Sequence, residues 1–182
     1  MSIEIGVVED ADLVRGRLDA LAAVYRAAFG APGYDEGEEE VRRFLEEQLP
    51  RHIERDGFRL AQATADGVVV GFAYGYTGQR GQWWTDRVAT LAPAEVVEEW
   101  LGGHFELVEL AVDPVVQRGG VGARLHDELL AGLPHERALL STYRDDRAAP
   151  RLYRRLGWQL LVPDLDEDNA LYGLHLAARS AR

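Results

Sequence analysis

Glu109-Leu110-Ala111-Val112-Asp113-Pro114-Val115-Val116-Gln117-Arg118-Gly119-Gly120-Val121-Gly122-Ala123-Arg124 carries the chain from a strand into a helix through tightly spaced glycines. The strand, His104–Val112, is strongly apolar apart from Glu106 and Glu109, and Asp113-Pro114 ends it. Glycines at such a junction let the backbone approach a ligand closely and present successive N–H groups to it. The helix behind them, expected over 119–131 and closed by Leu133-Pro134, brings positive partial charge to its first turn. Phosphate oxygens are favoured there, and Arg118 and Arg124 can add charge-assisted contacts to the same anion. Two other phosphate motifs fail. A dinucleotide fingerprint needs a third glycine where Leu125 stands, and a P-loop needs a lysine, which the chain lacks. By itself the cluster reads equally well as a plain strand-to-helix joint.

Working outward, Ile3–Val8 alternates as a short strand, and 12–29 carries apolar residues at helical spacing until Gly30. A second helix is expected through Val41, Phe44, Leu45 and Leu49 to about Arg51. Its acidic start, Asp35–Glu40, suits the positive end of a helix and reads as a solvated helix beginning rather than a metal or substrate site. Phe58–Thr64 and Val68–Tyr76 flank Ala65-Asp66-Gly67 as a hairpin. The polar stretch 77–87 holds Trp83-Trp84, and a helix follows from about Pro93 to Leu101. Residues 77–103 thus read as a Trp-containing insertion within one domain spanning 1–182. Beyond the glycine turn come a short buried strand at Ala138–Thr142, a helix at Arg147–Leu156 and strands at Trp158–Val162 and Leu171–Leu176. The order is β-α-α-β-β-(α)-β-α-β-α-β-β, a mixed α/β sheet.

With 182 residues and 47% hydrophobic content, the chain can bury a real core. It has no cysteine, which excludes disulfides, a thiol nucleophile and thiolate metal sites. No apolar run approaches the roughly 20 residues that span a bilayer. The start at Met1 lacks the basic and apolar regions of a signal peptide, so a cytoplasmic protein with no membrane partner is expected. Thirty-one acidic residues against 20 basic ones give a formal charge of −11, and every basic residue is arginine. That field repels phosphate backbones, so nucleic acid is not an expected partner, and it favours a cationic small molecule.

The stretch Glu109–Pro114, followed by Gln117-x-x-Gly120-x-Gly122, resembles the coenzyme A signature of the GNAT superfamily of N-acyltransferases. Downstream, Ala149-Pro150-Arg151-Leu152-Tyr153-Arg154-Arg155-Leu156-Gly157-Trp158 resembles that family's A-x-x-L-Y-x-x-L-G-F segment. Asp146 departs from the Asn common before it, which leaves any amide contact to the donor from that position in doubt. The resemblance implies a GNAT-like α/β fold: a mixed, mostly antiparallel sheet of about seven strands, splayed central strands, and helices on both faces. It implies acetyl-CoA as acyl donor and no metal. The main chain of Leu110, Ala111 and Val112 would hold the pantetheine arm in the splay beside 138–142. The N–H groups of Gln117, Arg118, Gly119, Gly120, Val121, Gly122 and Ala123 would cradle the pyrophosphate, with Arg118 or Arg124 as cationic partner.

Acyl transfer to an amine requires an ammonium to lose a proton and a thiolate to gain one. The resemblance assigns the second role to Tyr153, whose alternative is a helix aromatic packed on the core. Glu109 is the favoured base, with Glu106 close behind. Strict alternation sets them on opposite sheet faces, and a bulge of the kind this family carries in that strand would break the alternation. Either carboxylate reads equally well as a strand residue bound to an arginine. The expected function is transfer of an acetyl group to a small cationic primary amine by direct attack in a ternary complex. A domain that binds acyl-CoA without turnover is the alternative, and a homodimer is an assembly the resemblance allows. Trp83-Trp84 can line an acceptor pocket or pack the insertion onto the body. The histidines lack metal-ligand spacing. Asp164-x-Asp166-x-Asp168 lacks the glycine and terminal glutamate of a calcium loop and reads as a solvated turn.

Overall fold

The computed structural model describes residues 2–34 and 36–176; Met1 and Asp35, which open the chain and the acidic run, lie outside the described residues. Seven strands are present: β1 (Ile3–Val8), β2 (Arg59–Ala65), β3 (Val68–Gly78), β4 (His104–Val112), β5 (Arg137–Tyr143), β6 (Gln159–Val162) and β7 (Asn169–His175). They form a mostly antiparallel open sheet in the order β1-β2-β3-β4-β5-β7-β6. The β4–β5 pair is parallel, and its ladder is short, with Phe105 opposite Ala138 and Glu106 opposite Leu139. The β2–β3 hairpin turns at Asp66-Gly67, both with positive φ, as the Asp-Gly signal requires.

The described residues divide into two compact units. The first comprises the described residues of 1–76 and 108–131, the second those of 77–107 and 132–176, so β4 contributes to both. In the first unit, Asp10 caps α1 (Ala11–Arg15) by accepting from Asp12 and Leu13 N–H. The single helix expected over 12–29 is broken at Gly16, so α2 (Leu18–Phe29) takes a new direction and leaves Leu13 exposed while Leu21, Val24, Tyr25 and Ala28 are buried. The second expected helix is also interrupted. It runs as α3 (Glu38–Arg43), a π-helical turn (Phe44–Gln48) and α4 (Leu49–Ile53). Pro50 has no N–H to donate back into the preceding turn, and Leu49 N–H bonds to Phe44 O, five residues back. Tyr25 stacks on Phe44 at 4.3 Å, and Phe44 on Phe72 at 5.8 Å, in the core over β2 and β3. Helix α7 (Val121–Leu130) belongs here too. Gly71 lets it lie close to β3, since a Cβ there would meet Leu125 Cδ1 at 3.0 Å.

In the second unit, Trp83-Trp84 opens a helix, α5 (Trp83–Leu91), where a polar stretch was expected; α6 (Ala94–Trp100) matches expectation. Val88 and Trp100 from these helices pack with Leu139, Val162 and Leu171. Helix α8 (Ala148–Arg155) follows β5, and Asp146 ties down its start by pairing with Arg151 and Arg154. Among the described residues no helix is long and apolar enough to cross a membrane.

Candidate functional site

Asp113 stops β4 by accepting from Val115 N–H at 2.9 Å, and its own N–H reaches Val70 O. Pro114–Val116 makes one 3₁₀ turn, and the chain then swings outward with Gln117, Arg118, Gly119 and Gly120 all exposed. Gln117 fixes the swing: its Nε2 donates to Val112 O at 2.8 Å, a role for this side chain that the spacing alone does not reveal. Gly120 sits in the left-handed region, φ 74°, with nothing within 4 Å of a Cβ built on it, so backbone conformation rather than space demands glycine. Arg118 holds φ 68°.

Helix α7 begins only at Val121, two residues later than expected, and its first internal bond runs from Arg124 N–H to Gly120 O. No side chain caps this end, so the N–H groups of Val121, Gly122 and Ala123 point outward beside the exposed turn. Val121, Leu125 and Leu129 bury the opposite face and hold the helix rigidly behind them. Leu125, where a dinucleotide motif wants glycine, is fully buried. The result is a row of outward N–H groups at the uncapped start of α7. Among the described residues Arg118 enters no ion pair, whereas Arg124 directs one N–H to Ile3 O at 3.0 Å.

The same unit gathers a second constellation around Glu109, which lies on β4 beside Leu110, Ala111 and Val112. Glu109 Oε2 accepts from Gln48 Nε2 at 3.4 Å, and the same amide nitrogen lies 3.2 Å from Tyr74 Oη. Tyr74 Oη in turn lies 3.0 Å from His52 Nδ1. Burial, the nearby charge of Glu36 and, against them, the Gln48 hydrogen bond push Glu109 up to about 8. Glu36 accepts from Tyr25 Oη at 2.5 Å. Burial, Glu109 and the bond to Glu36 together raise the pKa of that phenol, so it keeps its proton. His52 is held down to about 4 by burial and by Arg55 and Arg51, and is a neutral ring at physiological pH.

Five of these residues were missed by sequence reasoning. Tyr25 was counted only as a core position, His52 only as lacking metal spacing, and Tyr74 only as part of a strand. Glu36 belonged to the run read as solvated, which describes Glu38 and Glu39, paired with Arg26 and Arg42, but not half-buried Glu36. Gln48 carried no signal at all.

Glu106 and Tyr153 belong to the second unit. Glu106 is buried opposite Leu139 in the parallel ladder. Tyr153 is buried on α8 with its ring edge-on to Trp158 at 5.8 Å. The two tryptophans diverge. Trp84 donates from Nε1 to Ser141 Oγ at 3.0 Å, whereas Trp83 is 71% exposed beside Arg87. They line an open cleft of about 630 Å³ with Arg87 and the β6–β7 loop. In that loop Asp166 accepts from Asn169, from Asp168 N–H and from Arg87, which accounts for the acidic run as a closed turn. Among the described residues no three His, Asp or Glu side chains are grouped to hold a metal ion.

A model of the acetyltransferase (GNAT) family matches residues 18–158, well over half the chain. The GCN5-like protein acetyltransferase Rv2170 of Mycobacterium tuberculosis is 38% identical over 110 residues, 56% of this chain and 53% of that protein. The chain therefore spans about half the length of that relative. Among solved structures, PaiA N-acetyltransferase from Thermoplasma acidophilum in complex with coenzyme A aligns with a TM-score of 0.67 at 17% identity, over 96% of this chain and 99% of that one. The ribosomal-protein-S18-alanine N-acetyltransferase from Escherichia coli aligns with a TM-score of 0.58 at 20% identity, over 96% and 94%. At these identities the two structures speak for the fold alone.

Proposed function

This chain belongs to the acetyltransferase (GNAT) family, and from that premise we propose that it moves an acetyl group from acetyl-CoA to a cationic primary amine by direct attack in a ternary complex. The two units are read together as one GNAT domain, because the family match runs through both. The observation that carries the acceptor assignment is the Glu36–Glu109 pair, two carboxyl groups close enough that Glu36 raises the pKa of Glu109. An ammonium group is the ligand that relieves such a pair.

In this reading the exposed turn Gln117–Gly120 and the first N–H groups of α7 receive the donor's pyrophosphate, with Arg118 as its free cation and Arg124 as a second. The main chain of Leu110, Ala111 and Val112 faces the pantetheine arm, and the short β4–β5 ladder supports that use. Glu109 takes a proton from the bound ammonium, directly or through water. Its high pKa suits a base working near neutrality, and the arriving cation itself draws that pKa down. The freed amine attacks the thioester carbonyl, the C–N bond forms, the C–S bond breaks, and the nitrogen sheds its second proton to solvent, which balances the one the sulfur takes up. The departing thiolate is protonated, and Tyr153 is assigned to that step by its place in the Ala149–Trp158 motif alone. Glu106 is the reserve base. Its burial opposite Leu139 makes it the less available of the two.

The name of the Mycobacterium relative, a protein acetyltransferase, supports a second acceptor of the same chemistry, an ammonium group of a protein, for which a lysine side chain is the probe. Thiol release from acetyl-CoA, measured with spermidine, a lysine-containing peptide and an uncharged aromatic amine, tests the proposal. Turnover with either cationic acceptor but not with the aromatic amine is expected, and the faster acceptor distinguishes the two sources. Turnover confined to the uncharged amine overturns the reading.

A further inference from the structure

We propose that Gln48 is a positioning residue for the acceptor chemistry, clamping the Glu109 carboxylate through an amide whose orientation is set by Tyr74 and His52. This rests on the reading of Glu109 as the base. The backbone supplies the first part of the argument. In an uninterrupted α-helix the residue four beyond buried Phe44 continues the core stripe, and that residue is Gln48. The π-turn inserts one position, so fully buried Leu49 takes the core place, Ile53 follows it, and Gln48 is displaced to the half-buried edge. Polar Gln48 is thereby presented to Glu109 instead of being sealed beneath Phe44.

Hydrogen-bond polarity supplies the second part. His52 is neutral, hemmed by Arg51 and Arg55, and its Nδ1 shares a hydrogen bond with the Tyr74 hydroxyl at 3.0 Å that anchors that oxygen. The Tyr74 oxygen then accepts from Gln48 Nε2 at 3.2 Å. One amide hydrogen being committed there, the second points to Glu109 Oε2 at 3.4 Å. A flipped amide would set its oxygen against the ionised carboxylate. The chain His52–Tyr74–Gln48 thus ends in a donor to Oε2. Glu109 Oε1 is left as the oxygen for the ammonium proton. Among the described residues Glu36 and Tyr25 also act on Glu109 electrostatically, and Tyr25 gives its hydroxyl hydrogen to Glu36.

The direct test is the titration of Glu109 by carboxyl ¹³C NMR in the full chain, which needs no acceptor. With Gln48→Leu the midpoint should rise by about half a unit to one unit, leaving roughly three to ten times less carboxylate at pH 7. Gln48→Asn, too short to span both partners, should behave like Gln48→Leu, and Tyr74→Phe should give a smaller rise in the same direction. If Gln48→Leu does not fold, Tyr74→Phe alone decides. A midpoint that stays at its wild-type value in the folded variants overturns the proposal. Thiol release by Glu109→Gln separates the two layers. Full activity in that variant removes the base itself, whereas an inactive Glu109→Gln beside an unmoved titration removes only the clamp.

Discussion

Tyr25 donates its hydroxyl to Glu36 Oε2 at 2.5 Å, tying the loop before α3 to α2 and fixing one carboxylate beside another. Glu36 is the second cause, after burial, of the raised pKa of Glu109. Glu36→Gln should therefore move the lower limb of the pH profile of kcat/KM to lower pH, while leaving most of the elevation that burial produces. Removing one of two carboxylates should also weaken a cationic acceptor, raising its KM and leaving that of acetyl-CoA unchanged. A profile that does not move would show that the two groups act independently.

Glu109 also links stability to pH. Its folded pKa, about 8, lies above the ordinary 4.5, so between those values the native state binds more protons than the unfolded chain. Stability then falls as pH rises through that window. Glu109→Gln removes the ionisation and should be the more stable protein at pH 8, by about 1–3 kcal/mol. The two melting curves should converge near pH 4. Parallel melting temperatures across the range would contradict the burial of this carboxyl.

His52 has the opposite sign. Its folded value, about 4, lies below the ordinary 6.5, so the unfolded chain binds the extra proton and stability is lost as pH falls from 6.5 toward 4. His104 behaves alike, held at about 4 by burial, Arg137 and His135. Replacing His52 by Gln should flatten the acid limb of the stability curve without abolishing it, because His104 still titrates. Melting temperatures of the variant and the wild type between pH 4 and 7 check this.

Strand β4 was legible to the residue, because an apolar run bounded by Gly102-Gly103 and Asp113-Pro114 admits one reading. The turn at Gln117–Gly122 was legible because its chemistry is local: consecutive backbone groups make it. Glu109's surroundings were not. Gln48 and Glu109 are 61 positions apart, and only the packing of α2, the π-turn and β3 brings Tyr25, Gln48 and Tyr74 to one place. The π-turn adds to this, since it shifts Gln48 off the position that four residues beyond Phe44 would hold in an α-helix. Trp83-Trp84 was read as loop because the glycines and polar residues before it mask a helix whose inward face is only Thr85 and Val88.

Gly78 shows a close approach that the sequence gives no hint of. A Cβ built there would run into His104 Nε2 and Cε1, and the imidazole is fully buried. Such a contact cannot be met without moving the ring or the strand, so Gly78→Ala should cost about 2–3 kcal/mol. For a chain of this size that is a fall of roughly 5–10 °C in Tm. Gly6, also in a strand, has nothing within 4 Å of its Cβ, and Gly6→Ala should melt close to wild type. Equal melting of the two variants would refute the contact.

Tyr153 is where packing and chemistry can be separated. Its ring is buried against Trp158, so Tyr153→Phe keeps the edge-to-face contact and the fold. If the hydroxyl protonates the departing thiolate, kcat should drop by about 10²-fold while acetyl-CoA binds as tightly as before by calorimetry. The loss should shrink for a donor whose thiol is more acidic, because a better leaving group needs less help. Unchanged turnover, or a loss that ignores leaving-group acidity, would leave Tyr153 as a core aromatic. Gly122→Trp provides the converse. It should weaken acetyl-CoA binding at the mouth of α7 without altering the pH dependence set by Glu109.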